Sequence, residues 1–209
     1  MPLSVGTISC RTFYLAQPPV GDFLAQAQGD VRKHSFKPVQ PDRSVRSLGW
    51  VDPSDVLDNA PLVERLVYED FLLLGLRLDR VAINGRLLKA HFRHAMQKMS
   101  AERNKRPIGR EEKAALLEKT RLDLLARQTP TSAFYEMAWN MRTHHVYFTG
   151  TGNTLANEFQ DLFQETFHTG LTPLEPFLRA QVKAEKEGLL EPFLKAEPAR
   201  FRSIERMKD

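Results

Sequence analysis

The most constraining feature of the chain is a change of hydrophobic period at a single dipeptide. From Phe71 to Ile83 the residues alternate, with Leu72, Leu74, Leu76 and Leu78 on one face and Gly75, Arg77 and Asp79 on the other. Period two predicts a strand in an antiparallel sheet covered on one side. At Asn84-Gly85 the alternation stops. Leu88, Phe92, Ala95 and Met99 then recur at spacings of four, three and four, which predicts a helix from about Arg86 to Asn104. Pro107-Ile108-Gly109 interrupts it, and a second helix is expected from about Arg110 to Gln128. A half-covered strand that runs into a helical hairpin points to an α+β fold: a mostly antiparallel sheet packed with helices, plus a protruding basic helical hairpin.

The remaining segments fit that frame. Ser4 to Ala16, Ser47 to Val51 and Leu66 to Tyr68 have strand character, and Thr131 to Thr143 with His145 to Thr149 form a predicted hairpin pair. Asp22 to Gln28 is a short amphipathic helix, and residues 29–45 are expected as a loop with at most one short strand. Gly150-Thr151-Gly152-Asn153 is a turn. Asn153 or Thr154 is expected to cap a helix carrying Leu155, Phe159, Leu162, Phe163 and Phe167 as far as Gly170. Beyond Pro173 the chain is charged and broken by prolines, which suggests one more helix and a loosely held tail. The expected organisation is one α+β region over 1–176, with the basic hairpin at about 86–128, and a charged C-terminal segment over 177–209. Cys10, in an apolar strand, is expected as a small core residue.

Composition excludes several classes. The longest apolar run, Phe71 to Leu76, is far short of the roughly 20 residues that span a bilayer. Met-Pro-Leu-Ser-Val lacks the pattern of a secretory signal. A single cysteine cannot form an internal disulfide. A cytoplasmic protein with no membrane partner is the default.

The formal charge is +4, and its distribution is uneven. Residues 81–127 hold 12 basic and 5 acidic side chains, a surplus of +7, while the segments on either side are slightly acidic. Concentrated positive charge attracts polyanions better than the same charge spread out. Arg86, Lys89 and Arg93 form one stripe on the first helix of the hairpin, and His91, His94 and Lys98 form a second. Arg103, Lys105, Arg106, Arg110 and Lys113 surround the connecting turn. Such cations suit phosphate contacts, which give affinity without sequence readout. The bland alternative is a solvated hairpin whose charges only confer solubility.

Enzyme signatures are missing. There is no GxxxxGK[ST] loop, no GxGxxG, no HExxH and no paired-cysteine zinc spacing. His144-His145, on a strand, would face opposite ways. A metal-dependent nuclease could draw on Glu69-Asp70, with Asp42 or Asp79, but no acid-x-lysine motif accompanies them. No cofactor, no metal and no small-molecule substrate are expected, and the chain is expected not to be an enzyme.

Five segments, taken in order, resemble the bacterial recombination-associated protein RdgC family. They are Ser47-Leu48-Gly49-Trp50-Val51 with its acid-Pro turn; the strand-to-helix passage from Leu72 to Ala95; Asn104-Lys105-Arg106-Pro107-Ile108-Gly109-Arg110-Glu111-Glu112-Lys113; the run from Leu124-Leu125-Ala126-Arg127 through Ala133-Phe134 to Trp139; and the helix Asn153 to Thr169. The likeness covers roughly residues 1–176, by pattern rather than identity. The Leu-to-Ala-Phe passage is longer than the family's, Asn84-Gly85 stands where a proline is usual, and the family's further C-terminal region is not present before Asp209, as in a shortened member. The resemblance implies a non-catalytic, nucleoid-associated homodimer that encircles duplex DNA with little sequence preference and limits RecA access. The residues it would use are Lys89, Arg93, Lys98, Arg103, Lys105, Arg106, Arg110 and Lys113, as phosphate contacts. The competing expectation is a protein-interaction module whose hairpin meets an acidic partner.

Overall fold

The structure, a computed structural model, describes residues 8–15, 23–40, 44–102 and 107–196. The alternating run becomes β4, Phe71–Arg80, an inner strand next to one edge of a seven-stranded antiparallel sheet. The other strands are β1 (Arg11–Leu15), β2 (Arg46–Val51), β3 (Val67–Tyr68), β5 (Thr131–Asn140), β6 (His145–Phe148) and β7 (Leu171–Pro173). Their order is β2-β4-β5-β6-β1-β7, with β3 also paired to β4. The helices are α1 (Phe23–Lys33), α2 (Gly85–Glu102), α3 (Arg110–Leu125), α4 (Asn153–Phe167), α5 (Pro176–Lys186) and α6 (Leu190–Lys195). Described residues up to Thr172 form one compact unit, and those from Pro173 form a second, built on α5 and α6. The α+β class expected from the sequence is the class observed.

The alternation of β4 assigns the two faces of the sheet as predicted. Leu72 lies opposite Trp139 and Leu74 opposite Met137, and all four are fully buried. Phe13, Leu15, Val146, Phe148 and Trp50 extend this layer across the sheet, where α1 and α4 cover it. From α4 come Phe159, Phe163 and Phe167; from α1, Ala27 and Val31. Phe159 stacks on Phe148 with centroids 4.0 Å apart, and Trp139 meets Phe163 edge-on at 5.4 Å. Each such side chain contributes about 1.5–3 kcal/mol by leaving water. Buried polar ties run through Thr166: Trp50 Nε1 donates to its Oγ1 at 2.9 Å, and that hydroxyl donates to the Leu162 carbonyl at 2.7 Å. Helix α4 ends where His168 turns left-handed, with φ 57°.

The opposite face of the sheet lies away from the aromatic layer that α1 and α4 cover. Towards β2 it holds an ion pair: Arg77 Nε and a terminal nitrogen each donate to Asp79 at 2.9 Å. The guanidinium also lies 4.3 Å from the ring centroid of Phe36. Burial pushes the Asp79 carboxyl up, but hydrogen bonds from Arg77 and Ser132, together with the guanidinium charge, hold it below its ordinary value. Phe36 reaches this place because Gly49 has no side chain; a Cβ there would sit 2.5 Å from the Phe36 Cα.

Several expectations need correction. The first helix runs on to Lys33 through Gly29, because Ala27 and Val31 are buried against the core and outweigh the glycine's cost of about 1 kcal/mol. The strand expected from Ser4 is described from Arg11 only, its first residues lying outside the described ones. The segment after Gly170 adds a strand, β7, and the charged C-terminal stretch forms two helices rather than one. Cys10 is exposed, not core, since it precedes the paired part of β1.

Candidate nucleic-acid interface

Strands β4 and β5 pair in unbroken register from Phe71↔Asn140 to Arg80↔Thr131. The chain between those last two partners holds α2 and α3, so the helical hairpin is an insertion between neighbouring strands. Along α2, Leu88, Phe92, Ala95, Met96 and Met99 are half-buried, and none of its residues is fully buried. Facing them on α3, Leu116 is half-buried, and Thr120, Leu124 and Leu125 are buried. The two helices are each other's principal neighbours. Leu88 and Phe92 therefore belong to the hairpin's own seam and not to the main core. Met96, which breaks the basic row in the sequence, joins that seam.

Polar contacts define the start of α3. The Gly109 backbone N–H donates to Glu112 Oε2 at 3.1 Å, a cap that suits the positive end of the helix dipole. Further along, Glu118 pairs with Arg121 at 3.0 Å.

The cations are divided unequally between the helices. Arg86, Lys89, Arg93 and Lys98 are opposed on α2 by Glu102 alone, whereas on α3 four basic residues meet four acidic ones. Lys89, Arg93, Lys98, Arg110 and Lys113 are all exposed. Among the described residues, Arg86, Lys89, Arg93 and Lys98 show no ion pair. Arg103, Lys105 and Arg106 lie outside the described residues. The structure thus brings the described sequence-predicted cations together on one hairpin and shows α2 as its positive half, an asymmetry hidden in the summed charge of the segment.

The residues considered for other chemistry are otherwise engaged. Asp70 pairs with Arg142 at 3.0 Å, and Glu69 holds the left-handed position of the β3–β4 turn, with φ 53°. Asp79 is bound to Arg77, and Asp42 lies outside the described residues. His144 also takes a left-handed turn position, with φ 60°, so it is not on a strand with His145. Gly150 is packed so closely that a Cβ would lie 2.3 Å from the Phe148 ring. The Thr151 carbonyl accepts from Arg11 Nε at 2.9 Å. Asn153 does not cap α4 with its side chain; its Oδ1 accepts from Arg11 instead, and Gly152 occupies the cap position. Among the described residues, no three His, Cys, Asp or Glu side chains are grouped to hold a metal ion. No helix of the described residues is long and apolar enough to cross a membrane.

A scan of protein-family models finds no match to the chain, and no curated protein matches it either.

Proposed function

We propose that this chain is a sequence-nonspecific DNA-binding protein that occupies duplex DNA through the basic face of the α2–α3 hairpin. The carrying observation is the exposed set Arg86, Lys89, Arg93 and Lys98, without ion-pair partners among the described residues and continued by Arg110 and Lys113. Cations held on a helix surface and left without counter-charges bind phosphates by releasing counterions, which is indifferent to base sequence. Arg103, Lys105 and Arg106 in the connecting stretch add charge of the same sign. The segment-by-segment resemblance to the RdgC family supports the finer reading: a nucleoid-associated homodimer that modulates recombination by limiting RecA access, with no catalytic step of its own.

The test is fluorescence anisotropy with two labelled duplexes of unrelated sequence across a salt series. The wild-type protein binds both alike and weakens steeply with salt. Replacing Lys89, Arg93 and Lys98 together by Gln lowers affinity equally for both duplexes and reduces the log–log salt slope by about three. Undiminished binding by that variant removes α2 from the interface. No binding by the wild type at low salt, with a stable complex formed instead with an acidic protein, replaces the DNA reading by the interaction-module one.

A further inference from the structure

The face of the sheet opposite α1 and α4 contains a hollow that the DNA reading leaves unused. Leu73 on β4, Ala138 on β5 and Tyr147 on β6 lie side by side in register, so the short alanine sits between two larger side chains. That step in height leaves a hollow over Ala138. Pro53 and Ser54 close one side, Tyr68 another, and Ile8 and Cys10 a third, enclosing about 580 Å³. This lies within the range of small-molecule sites, about 300–1,000 Å³. Pro53 can lean in because Gly75 has no side chain; a Cβ there would come within 3.2 Å of the Pro53 Cα.

The polar content of the hollow is specific. Glu136, two residues from Ala138 on the same face, is only 8% exposed. It lines both this hollow and an adjoining one of about 240 Å³. It is the one charged side chain lining the main hollow, with no Lys or Arg among the described lining residues. A carboxylate has about four acceptor positions, so a donor from a ligand joins the contacts Glu136 makes within the protein. An anionic ligand, by contrast, would meet a carboxylate in apolar surroundings, where no described lining residue is a Lys or Arg.

We propose that this hollow is a binding site for a small, largely apolar molecule bearing one cationic or N–H donor group, such as an aryl amine, with Glu136 as its acceptor. The occupant is independent of DNA binding by the hairpin, which lies on other elements.

Cys10 supplies the reporter, being exposed at the rim and the chain's only cysteine. Titration of the full chain with N-phenylnaphthylamine, followed by its fluorescence, should saturate at one probe per chain. The bound probe should slow iodoacetamide alkylation of Cys10 several-fold. Anilinonaphthalene sulfonate, a close analogue carrying a negative charge, should bind at least about tenfold more weakly. Cys10→Trp fills the rim from an exposed position and should abolish binding while leaving the melting temperature and DNA affinity unchanged; Ala138→Trp fills the floor and serves as the second blocking variant. Glu136→Leu should weaken the probe about tenfold. Equal binding of the two dyes, binding insensitive to both tryptophans, or unchanged affinity in Glu136→Leu overturns the proposal. So does Cys10 protection that rises with protein concentration in the absence of probe, which would place a second copy of this chain over the hollow.

Discussion

Helices α4 and α2 are of similar length and have opposite fates. α4 has 15 residues and buries seven of them, six of these in the apolar core layer on the sheet. α2 has 18 residues and buries none. Both carry apolar residues at helical spacing, so periodicity alone does not separate them. The difference is in what the spacing is made of. Phe159, Phe163 and Phe167 form a wide aromatic stripe that a sheet can cover, while Leu88, Phe92, Ala95 and Met99 form a narrow seam that one neighbouring helix satisfies. A helix that spends so little of its surface on the fold keeps its cationic side chains available to solvent.

That contrast can be broken most forcefully at Phe159. Phe159→Ala removes a ring packed against Phe13, Trp50, Phe148 and Phe163 and should cost about 3–5 kcal/mol in denaturant unfolding. Next comes the ion pair on the opposite face. Asp79→Asn leaves Arg77 partly buried without its counter-charge and should cost roughly 3 kcal/mol near neutral pH. Because the folded carboxyl titrates below its ordinary value, its stabilisation is present above about pH 4 and is lost as pH falls through the folded value. The gap between wild type and Asp79→Asn should therefore narrow below about pH 4, as measured by unfolding at stepped pH. A gap that stays constant would mean that Asp79 does not titrate between the two states as described.

Smaller effects sharpen the comparison. Trp50→Phe keeps a ring in the core but gives up the bond to Thr166, with an expected loss of about 1–2 kcal/mol in denaturant unfolding. Phe92→Ala in α2 should cost only about 1 kcal/mol by the same measurement, since its ring is half-buried against a single helix. If Phe92→Ala proves as damaging as Phe159→Ala, the hairpin is part of the cooperative core and the contrast fails.

The elements that showed in the sequence were those with a long, uniform period. Leu72 to Leu78 betrayed β4 and its inward face, and the break at Asn84-Gly85 marked the start of α2 to within a residue or so. β7 was invisible because three residues ending in proline carry no alternation. α1 overran its expected end because burial of Val31 overrides the local cost of Gly29, a tertiary effect that no window of sequence contains. The cationic stripe of α2 was legible from spacing, but the neutrality of α3 was masked when both helices were summed into one segment. The second face of the sheet was only partly legible. Gly75, Arg77 and Asp79 suggested a polar outer face, whereas its apolar half is assembled from Leu73, Ala138 and Tyr147 on three strands. Only the register brings them together.

The pairing of Arg80 with Thr131 has a consequence for how this molecule could be rebuilt. The chain departs and returns at neighbouring positions, so α2 and α3 are inserted between two strands that are already paired at their ends. A two-residue Asn-Gly link could join the same strands as a plain β-hairpin. The sheet would then act as a socket, and the helical pair as a detachable tool. Such a socket could receive hairpins of other charge or length at little entropic cost, since closing a longer excursion between fixed ends grows only logarithmically with its length. Binding strength and fold integrity would then be free to change separately, one in the tool and the other in the socket.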